Sequence, residues 1–150
     1  MGQQQLLLII LVLIIIGITT IVAVNIISIG ANQSKKDAIR QDLFAAATNA
    51  QHIWERPEIH GGAQRNFQNS SINDELLILR LGITGTINGT TIINENGTYT
   101  FQTTGNDSFE ISAQPATGGE PLVLTVARTD EDGWQITITD GSGEVTTETG

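Results

Sequence analysis

A long apolar stretch at the start of the sequence constrains the fold more than any other feature. No Asp, Glu, Lys or Arg precedes Lys35. In residues 6–29, 18 of the 24 side chains are Leu, Ile or Val. A helix rising about 1.5 Å per residue would make this stretch about 36 Å long, enough to cross a hydrocarbon core of about 30 Å. We therefore expect these residues, the apolar segment, to form a helix that enters a bilayer.

A cleaved secretory signal is the simplest alternative for the apolar segment. Such signals place a basic region before an apolar run of about 7–15 residues and end at a small-x-small cleavage site. Here no basic residue precedes the run, the run is longer, and residues 28–31 make a poor cleavage site. A retained helix is the better interpretation.

The helical pattern continues beyond the apolar segment. Residues 35–54 contain neither Pro nor Gly, and their apolar side chains recur at steps of three and four. This spacing predicts an amphipathic helix with one buried stripe, and Pro57 marks its end. We expect one helix over about residues 3–54, apolar all round in its first half and one-sided in its second.

Apolar and polar side chains alternate with a period of two in the C-terminal part, which predicts half-buried strands. The strand segments are 98–102, 108–114, 121–128 and 134–139. Turn sequences such as Asn88-Gly89 and Asn96-Gly97 separate them. Residues 76–83 and 90–94 are predicted to add strands or a short helix. The fold class is therefore α+β, with a long N-terminal helix (about residues 3–54) packed on a C-terminal antiparallel sheet of four or five strands.

Three parts follow from these patterns. Residues 1–30 form the hydrophobic half of the helix, residues 31–56 its amphipathic half, and residues 57–150 a β head. The inward positions of the alternating strands predict the core of the head: Phe101, Phe109, Ile111, Leu122, Leu124, Val126, Trp134, Ile136 and Ile138.

Charge and composition exclude several classes of function. The formal net charge is −9, and 14 of the 16 acidic residues lie from Glu55 onward, where only four arginines oppose them. Nucleic acid is therefore not an expected partner, because phosphates require clustered Lys and Arg. The chain has no cysteine, so it can form neither a disulfide nor a thiolate metal site.

No catalytic constellation is apparent, so we expect a protein that is not an enzyme and binds no cofactor or metal. The two histidines, His52 and His60, have no evident nucleophile beside them. Residues 129–133 (TDEDG) match a fragment of a calcium loop, but a hairpin turn is the better interpretation. Trp54 and Trp134 are expected in the core, and Phe44 either there or in a contact between subunits.

The architecture of the whole chain resembles the type IV pilins and the pseudopilins of type II secretion. More narrowly, the string MGQQQLLLI, the pair Arg56-Pro57 and the pair Gly61-Gly62 before Phe67 are similar to a group of small bacterial pilin-like proteins. The resemblance implies a structural subunit that is anchored in the inner membrane before assembly. Pilus assembly machinery would then build identical subunits into an extracellular filament at the cell surface, with apolar helices in its core and β heads outside.

The start of the sequence departs from the usual prepilin pattern of a basic leader ending in Gly and a Glu at mature position five. Met1-Gly2 is the one candidate leader, with cleavage between Gly2 and Gln3. Mature position five would then be Leu7, or Gln5 if Met1 is retained. An amide oxygen could accept a hydrogen bond from a neighbour's terminal ammonium, without the charge that a Glu supplies. The candidates for this N-terminal polar contact are Gln3, Gln4 and Gln5.

The resemblance also implies which residues would pack between subunits. The predicted filament core comprises Leu6, Leu7, Ile10, Leu13, Ile14, Gly17, Ile21 and Val24. Lys35, Lys36 and Arg40 follow the apolar segment, so the positive-inside rule alone would place the head in the cytoplasm, whereas a pilin has it outside. We expect the outside orientation and pairing of these cations with acidic residues such as Asp37 and Asp42 on adjacent helices.

Asn-x-Ser/Thr tripeptides favour an extracellular location, because they are acceptor sequences for N-linked glycans. The alternative is that Asn-Gly-Thr at 88 and 96 is turn chemistry alone. The candidate glycosylation residues are Asn32, Asn69, Asn88, Asn96 and Asn106.

Two other functional classes remain open from the sequence. A membrane-anchored minor pseudopilin, adhesin or other accessory binding protein would carry the same helix and head, and would differ chiefly in copy number. An anchored enzyme would require a catalytic constellation.

Overall fold

A computed structural model gives the fold and describes residues 2–69, 73–129, 133–143 and 145–149. The chain divides into two compact units, Met1–Ser34 and Lys35–Gly150. One helix, α1 (Gly2–Glu55), contributes to both. The predicted α+β class, with a long N-terminal helix followed by an antiparallel sheet, is confirmed.

A tight reversal ends α1 at the position predicted from Pro57. Pro57 precedes a short 3-10 helix (Glu58–His60), and Gly61 then adopts a positive φ of 74°. The backbone N–H of Ala63 donates to the Ile53 carbonyl over 2.8 Å, which satisfies one of the last carbonyls of α1. A Cβ at Gly62 would collide with the Arg56 carbonyl, so this turn requires glycine there.

The sheet has seven strands, more than the four or five predicted. The strands are β1 (Thr86–Asn88), β2 (Thr91–Ile93), β3 (Gly97–Thr103), β4 (Ser108–Pro115), β5 (Leu122–Arg128), β6 (Trp134–Asp140) and β7 (Val145–Thr149). They lie side by side in sequence order, and each pairs antiparallel with the next. Of the two segments left open by the sequence, the first forms a helix, α2 (Asp74–Arg80), and the second forms β2.

The strands outside the predicted four, β1, β2 and β7, show little of the alternation between apolar and polar side chains from which the strands were predicted. β1 and β2 have three residues each, too few to show a period of two. All five residues of β7 are exposed, so neither of its faces is buried. The four long central strands, β3 to β6, are those that the alternating pattern predicts.

The core of the second unit lies between one face of this sheet and the buried stripe of α1. Ile39, Leu43, Ala46, Ala47 and Ala50 form that stripe, and all five are fully buried. The alanines allow close approach of the helix, while Ala45 on its other side is exposed. All nine residues predicted for the head core are buried on the opposing sheet face: Phe101, Phe109, Ile111, Leu122, Leu124, Val126, Trp134, Ile136 and Ile138.

The hairpins divide between two ends of the sheet. Turns β2–β3 and β6–β7 lie at the near end, where Lys35 donates to the Glu95 carbonyl over 2.8 Å. Turns β1–β2 and β3–β4 lie at the far end, where the indole N–H of Trp54 donates to the Asn106 carbonyl over 3.2 Å. Within the second unit, α1 therefore runs along the sheet from the near end to the far end.

Candidate functional site

The apolar segment is the largest apolar surface among the described residues. Every residue from 6 to 29 is exposed in the isolated chain. This includes all eight positions predicted for a filament core: Leu6, Leu7, Ile10, Leu13, Ile14, Gly17, Ile21 and Val24. The helix is long and apolar enough to cross a membrane, so it is compatible with a transmembrane helix.

Two threonine hydroxyls within the apolar segment form hydrogen bonds to backbone carbonyls of the same helix. The Thr19 hydroxyl donates to the Ile15 carbonyl over 2.7 Å, and the Thr20 hydroxyl donates to the Ile16 carbonyl over 2.8 Å. These bonds reach back one helical turn and remove the need for an external partner. Both threonines can therefore enter lipid or a helical bundle at low cost.

The N-terminal glutamines lie at the start of α1. Gln3, Gln4 and Gln5 are helical and exposed, as is Gly2. Met1 lies outside the described residues, so the predicted cleavage and terminal contacts stay predictions. No carboxylate accompanies these amides in the first turn of the helix.

Two of the cations that follow the apolar segment, Lys36 and Arg40, form ion pairs with carboxylates of the same chain. The Lys36 ammonium lies 2.9 Å from Oδ2 and 3.1 Å from Oδ1 of Asp140. The guanidinium of Arg40 lies 3.5 Å from Asp140 Oδ2 and 3.1 Å from Asp37 Oδ1. Lys36 and Arg40 thus have carboxylate partners within the chain, and their pairing between subunits stays a prediction.

Asp140 is the buried charged residue of this cluster. Burial opposes its ionisation, but hydrogen bonds from Lys36 and from the Ser142 backbone N–H, with the charges of Lys36 and Arg40, outweigh that effect and lower its pKa. Asp140 is therefore ionised at neutral pH, and it fixes the start of the amphipathic half of α1 on the end of β6.

A second polar contact joins α1 to β3. The Tyr99 hydroxyl donates to Asp42 Oδ2 over 2.6 Å, and the Asn96 amide donates to the same oxygen over 3.3 Å. Burial, followed by the adjacent Asp42 carboxylate, raises the pKa of Tyr99. Tyr99 therefore stays a neutral donor, and Asp42 accepts hydrogen bonds within the chain, while its pairing with a neighbour's cation stays a prediction.

Aromatic rings form the core at the far end. Trp54 and Trp134 meet edge to face with ring centroids 5.3 Å apart, and the Arg128 guanidinium lies 4.5 Å from the Trp54 ring. Phe67, from the irregular connection, packs at 5.4 Å from Phe109. These arrangements place both tryptophans in the core, as the sequence predicts, while Phe44 is only partly buried against it.

The residues considered for catalysis or metal binding are described only in part. His52 and His60 are both exposed. Among the residues described, no group of three or more His, Cys, Asp or Glu side chains is placed to hold a metal ion. The TDEDG segment contains Asp130, Glu131 and Asp132, which lie outside the described residues.

The five Asn-x-Ser/Thr tripeptides occupy different environments. Asn32 lies within α1, and Ser70 and Ser71 after Asn69 are outside the described residues. Asn88 and Asn106 are exposed at hairpins of the far end, whereas Asn96 is partly buried at the near end.

Sequence reasoning missed the Asp140 cluster and Phe67, although a signal existed for the first. Trp134, Ile136, Ile138 and Asp140 occupy every second position of one strand, so Asp140 shares their inward face. A carboxylate on a core face requires a cation, and three basic residues begin the amphipathic half of the helix.

Comparison with protein-family models, with curated proteins and with solved structures gave no match.

Proposed function

We propose that this chain is the structural subunit of an extracellular filament of the type IV pilus kind. The apolar helices of identical subunits would bundle in the filament core, and the β heads would form its surface. The observation that carries the proposal is that every residue of the apolar segment is exposed in the isolated chain. A helix that is apolar all round needs cover on every side, from lipid or from other helices.

The composition of the apolar segment is suited to both environments. Its exposed Leu, Ile and Val side chains insert favourably into lipid, and Thr19 and Thr20 are satisfied by the helix itself. Transfer from lipid to a protein bundle gains little hydrophobic free energy, so close packing of the helices would decide assembly. Gly17 has open space around its Cβ position, which would let a neighbouring helix approach closely there.

The second unit is suited to a place on the filament surface. Its core is closed by the amphipathic half of α1, and Lys36 and Arg40 pair with Asp140 within the chain. A unit that is complete in this way needs no partner to fold and can be carried as a rigid body by the helix. Pilus assembly machinery and an inner-membrane stage before export belong to this proposal.

The direct test is to shear cells that make the protein, pellet the released material and image it by cryo-electron microscopy. Mass spectrometry of the N-terminal peptide would establish whether the subunit begins at Gln3, at a methylated residue or at Met1. Helical filaments built from this chain support the proposal, whichever terminus they carry.

The outcome that contradicts it is a chain that remains wholly in the membrane fraction, with no filament containing it. In that case the membrane-anchored accessory protein becomes the better interpretation, because one apolar helix is sufficient for anchoring.

A further inference from the structure

We propose that Asn88 and Asn106 carry N-linked glycans at the far end of the head and that Asn96 does not. The acceptor tripeptides are Asn88-Gly89-Thr90 and Asn106-Asp107-Ser108. The proposal rests on the proposed function for one point, that the head lies outside the cytoplasm. It goes further by distinguishing residues that the sequence alone treats as equal.

Asn88 has the geometry of an accessible acceptor. It ends β1 at a two-residue turn, is exposed, and its side-chain amide makes no hydrogen bond within the described part of the chain. Gly89 in this turn has a positive φ of 61° and no atom within 4 Å of its Cβ position. A transferase and a bulky sugar therefore have free access to the Asn88 nitrogen.

Asn106 also lies at the far end of the sheet, but in a turn whose backbone is held by the core. Its backbone carbonyl accepts hydrogen bonds from the Trp54 indole over 3.2 Å and from the Phe67 backbone N–H over 2.7 Å. Its side chain is exposed and unbonded within the described residues. The core thus holds the backbone of this turn while the amide points to solvent.

Asn96 has the same type of tripeptide but is engaged by the fold. Its amide donates to Asp42, whose carboxylate also accepts from Tyr99. The next residue, Gly97, is buried, and a Cβ there would collide with the Gln114 carbonyl. A sugar on Asn96 would disturb the hydrogen bond from its amide to Asp42, so the fold disfavours it.

Asn32 is disfavoured for a geometric reason. It lies in the middle of α1 with Ser34 two residues later. Residues i and i+2 of a helix do not face each other, so the amide and the hydroxyl cannot be recognised together. Asn88 and Asn106 lie at hairpins and not in a helix, so this restriction on the asparagine amide and the hydroxyl two residues later does not apply to them.

The transfer uses a sugar activated as a lipid pyrophosphate, which the secretory membrane must supply. The asparagine Nδ2 forms a bond to C1 of the sugar as the bond from C1 to the pyrophosphate oxygen breaks. The lipid pyrophosphate leaves with the electron pair, and a base of the transferase takes the proton from Nδ2. No oxidation or reduction takes place.

The test is glycopeptide mass spectrometry of the full chain from the cells that make it. Cleavage after Glu75, Glu95 and Glu110 places Asn88 in one peptide (76–95) and the other two candidates in the next (96–110). Cleavage after Phe101 then separates Asn96 (96–101) from Asn106 (102–110). Sugar masses on Asn88 and Asn106, with none on Asn96, are the expected result.

Matched variants identify the acceptor. Thr90→Ala should remove all sugar from the 76–95 peptide, whereas Thr90→Ser should retain it, since the tripeptide needs only a hydroxyl at its third position. The inference is overturned if either Asn88 or Asn106 carries no sugar, or if Asn96 carries one. A mass gain at Asn88 or Asn106 that corresponds only to deamidation counts as absence of sugar. Imaging the same preparation for filaments keeps this result separate from the proposed function, because filaments without sugar contradict only the glycan proposal.

Discussion

Replacing Ile15 by Asp tests whether the apolar segment is buried between subunits. Ile15 lies within that segment and is 54% exposed in the isolated chain. At the centre of a membrane helix, Ile favours insertion by about 0.3–0.6 kcal/mol and Asp opposes it by about 2.5–3.5 kcal/mol. The change therefore costs about 3–4 kcal/mol for each subunit that is inserted in the membrane before assembly. At about 1.4 kcal/mol per factor of ten, the supply of inserted subunits, and with it filament assembly, should fall by about two to three orders of magnitude.

The head should not respond to the same change, and the structure provides the probe. Trp54 and Trp134 both lie in the core of the second unit, so the tryptophan fluorescence of the full chain in detergent reports unfolding of that unit. We expect the free energy of unfolding to change by less than about 0.5 kcal/mol, because Ile15 belongs to the other unit. Filament yield after shearing should fall below detection.

Two matched variants identify the cause of the loss. Ile15→Val keeps the position apolar and should keep the filaments, whereas Ile59→Asp makes the same charge change at a residue of the second unit that is 89% exposed. If Ile59→Asp abolishes filaments as completely as Ile15→Asp, added charge alone explains the loss. Normal filaments from Ile15→Asp refute burial of the segment. An unfolded head in this variant contradicts the expectation that the head does not respond to the change.

Three changes in the second unit test the contacts between α1 and the sheet, each measured as the free energy of unfolding by urea and tryptophan fluorescence. Leu43→Ala removes a fully buried side chain and should destabilise by about 2–5 kcal/mol; a cost below about 1 kcal/mol would contradict its place in the core. Tyr99→Phe should cost about 1–2 kcal/mol, because the bond to Asp42 is lost, and Asp42→Asn should reduce that cost. Asp140→Asn should cost about 1–3 kcal/mol at neutral pH, since Lys36 loses its ionic partner while remaining partly exposed. The folded-state pKa of Asp140 is lowered, so its contribution is present above the unfolded pKa of about 4 and is lost as pH falls through the folded value; a deficit that persists unchanged in strong acid would contradict the ion pair.

The sequence predicted those elements whose side chains repeat with a regular period. α1 and the central strands β3 to β6 have such periods, and Pro57 marks the end of the helix within two residues. The edge strands could not be predicted in this way. β1 and β2 are too short for a period to show, and β7 is held by backbone pairing with β6 while its side chains stay exposed.

The polar contacts of the second unit could not be predicted from the order of residues in the sequence. Asp140 and Lys36 are 104 positions apart, and their meeting requires both the register of β6 and the direction of α1 along the sheet. The sequence showed the type and number of the charges but not their partners. The head itself supplies a carboxylate at that place, so Lys36 has a partner within the chain.

The arrangement of the seven strands in sequence order has a consequence for how the head forms. Every strand pairs with its neighbour in the chain, so the sheet needs no long loop to close before its hairpins gain stability. Topologies dominated by such local pairings fold quickly for their size. The long-range step is docking of the growing sheet onto α1, which is synthesised first. Asp140 ends the last strand that contributes to the core, so the hydrophobic interior is complete before β7 is added. We therefore expect a rapid folding phase for the sheet and a chain that tolerates extension after β7 better than interruption within β3 to β6.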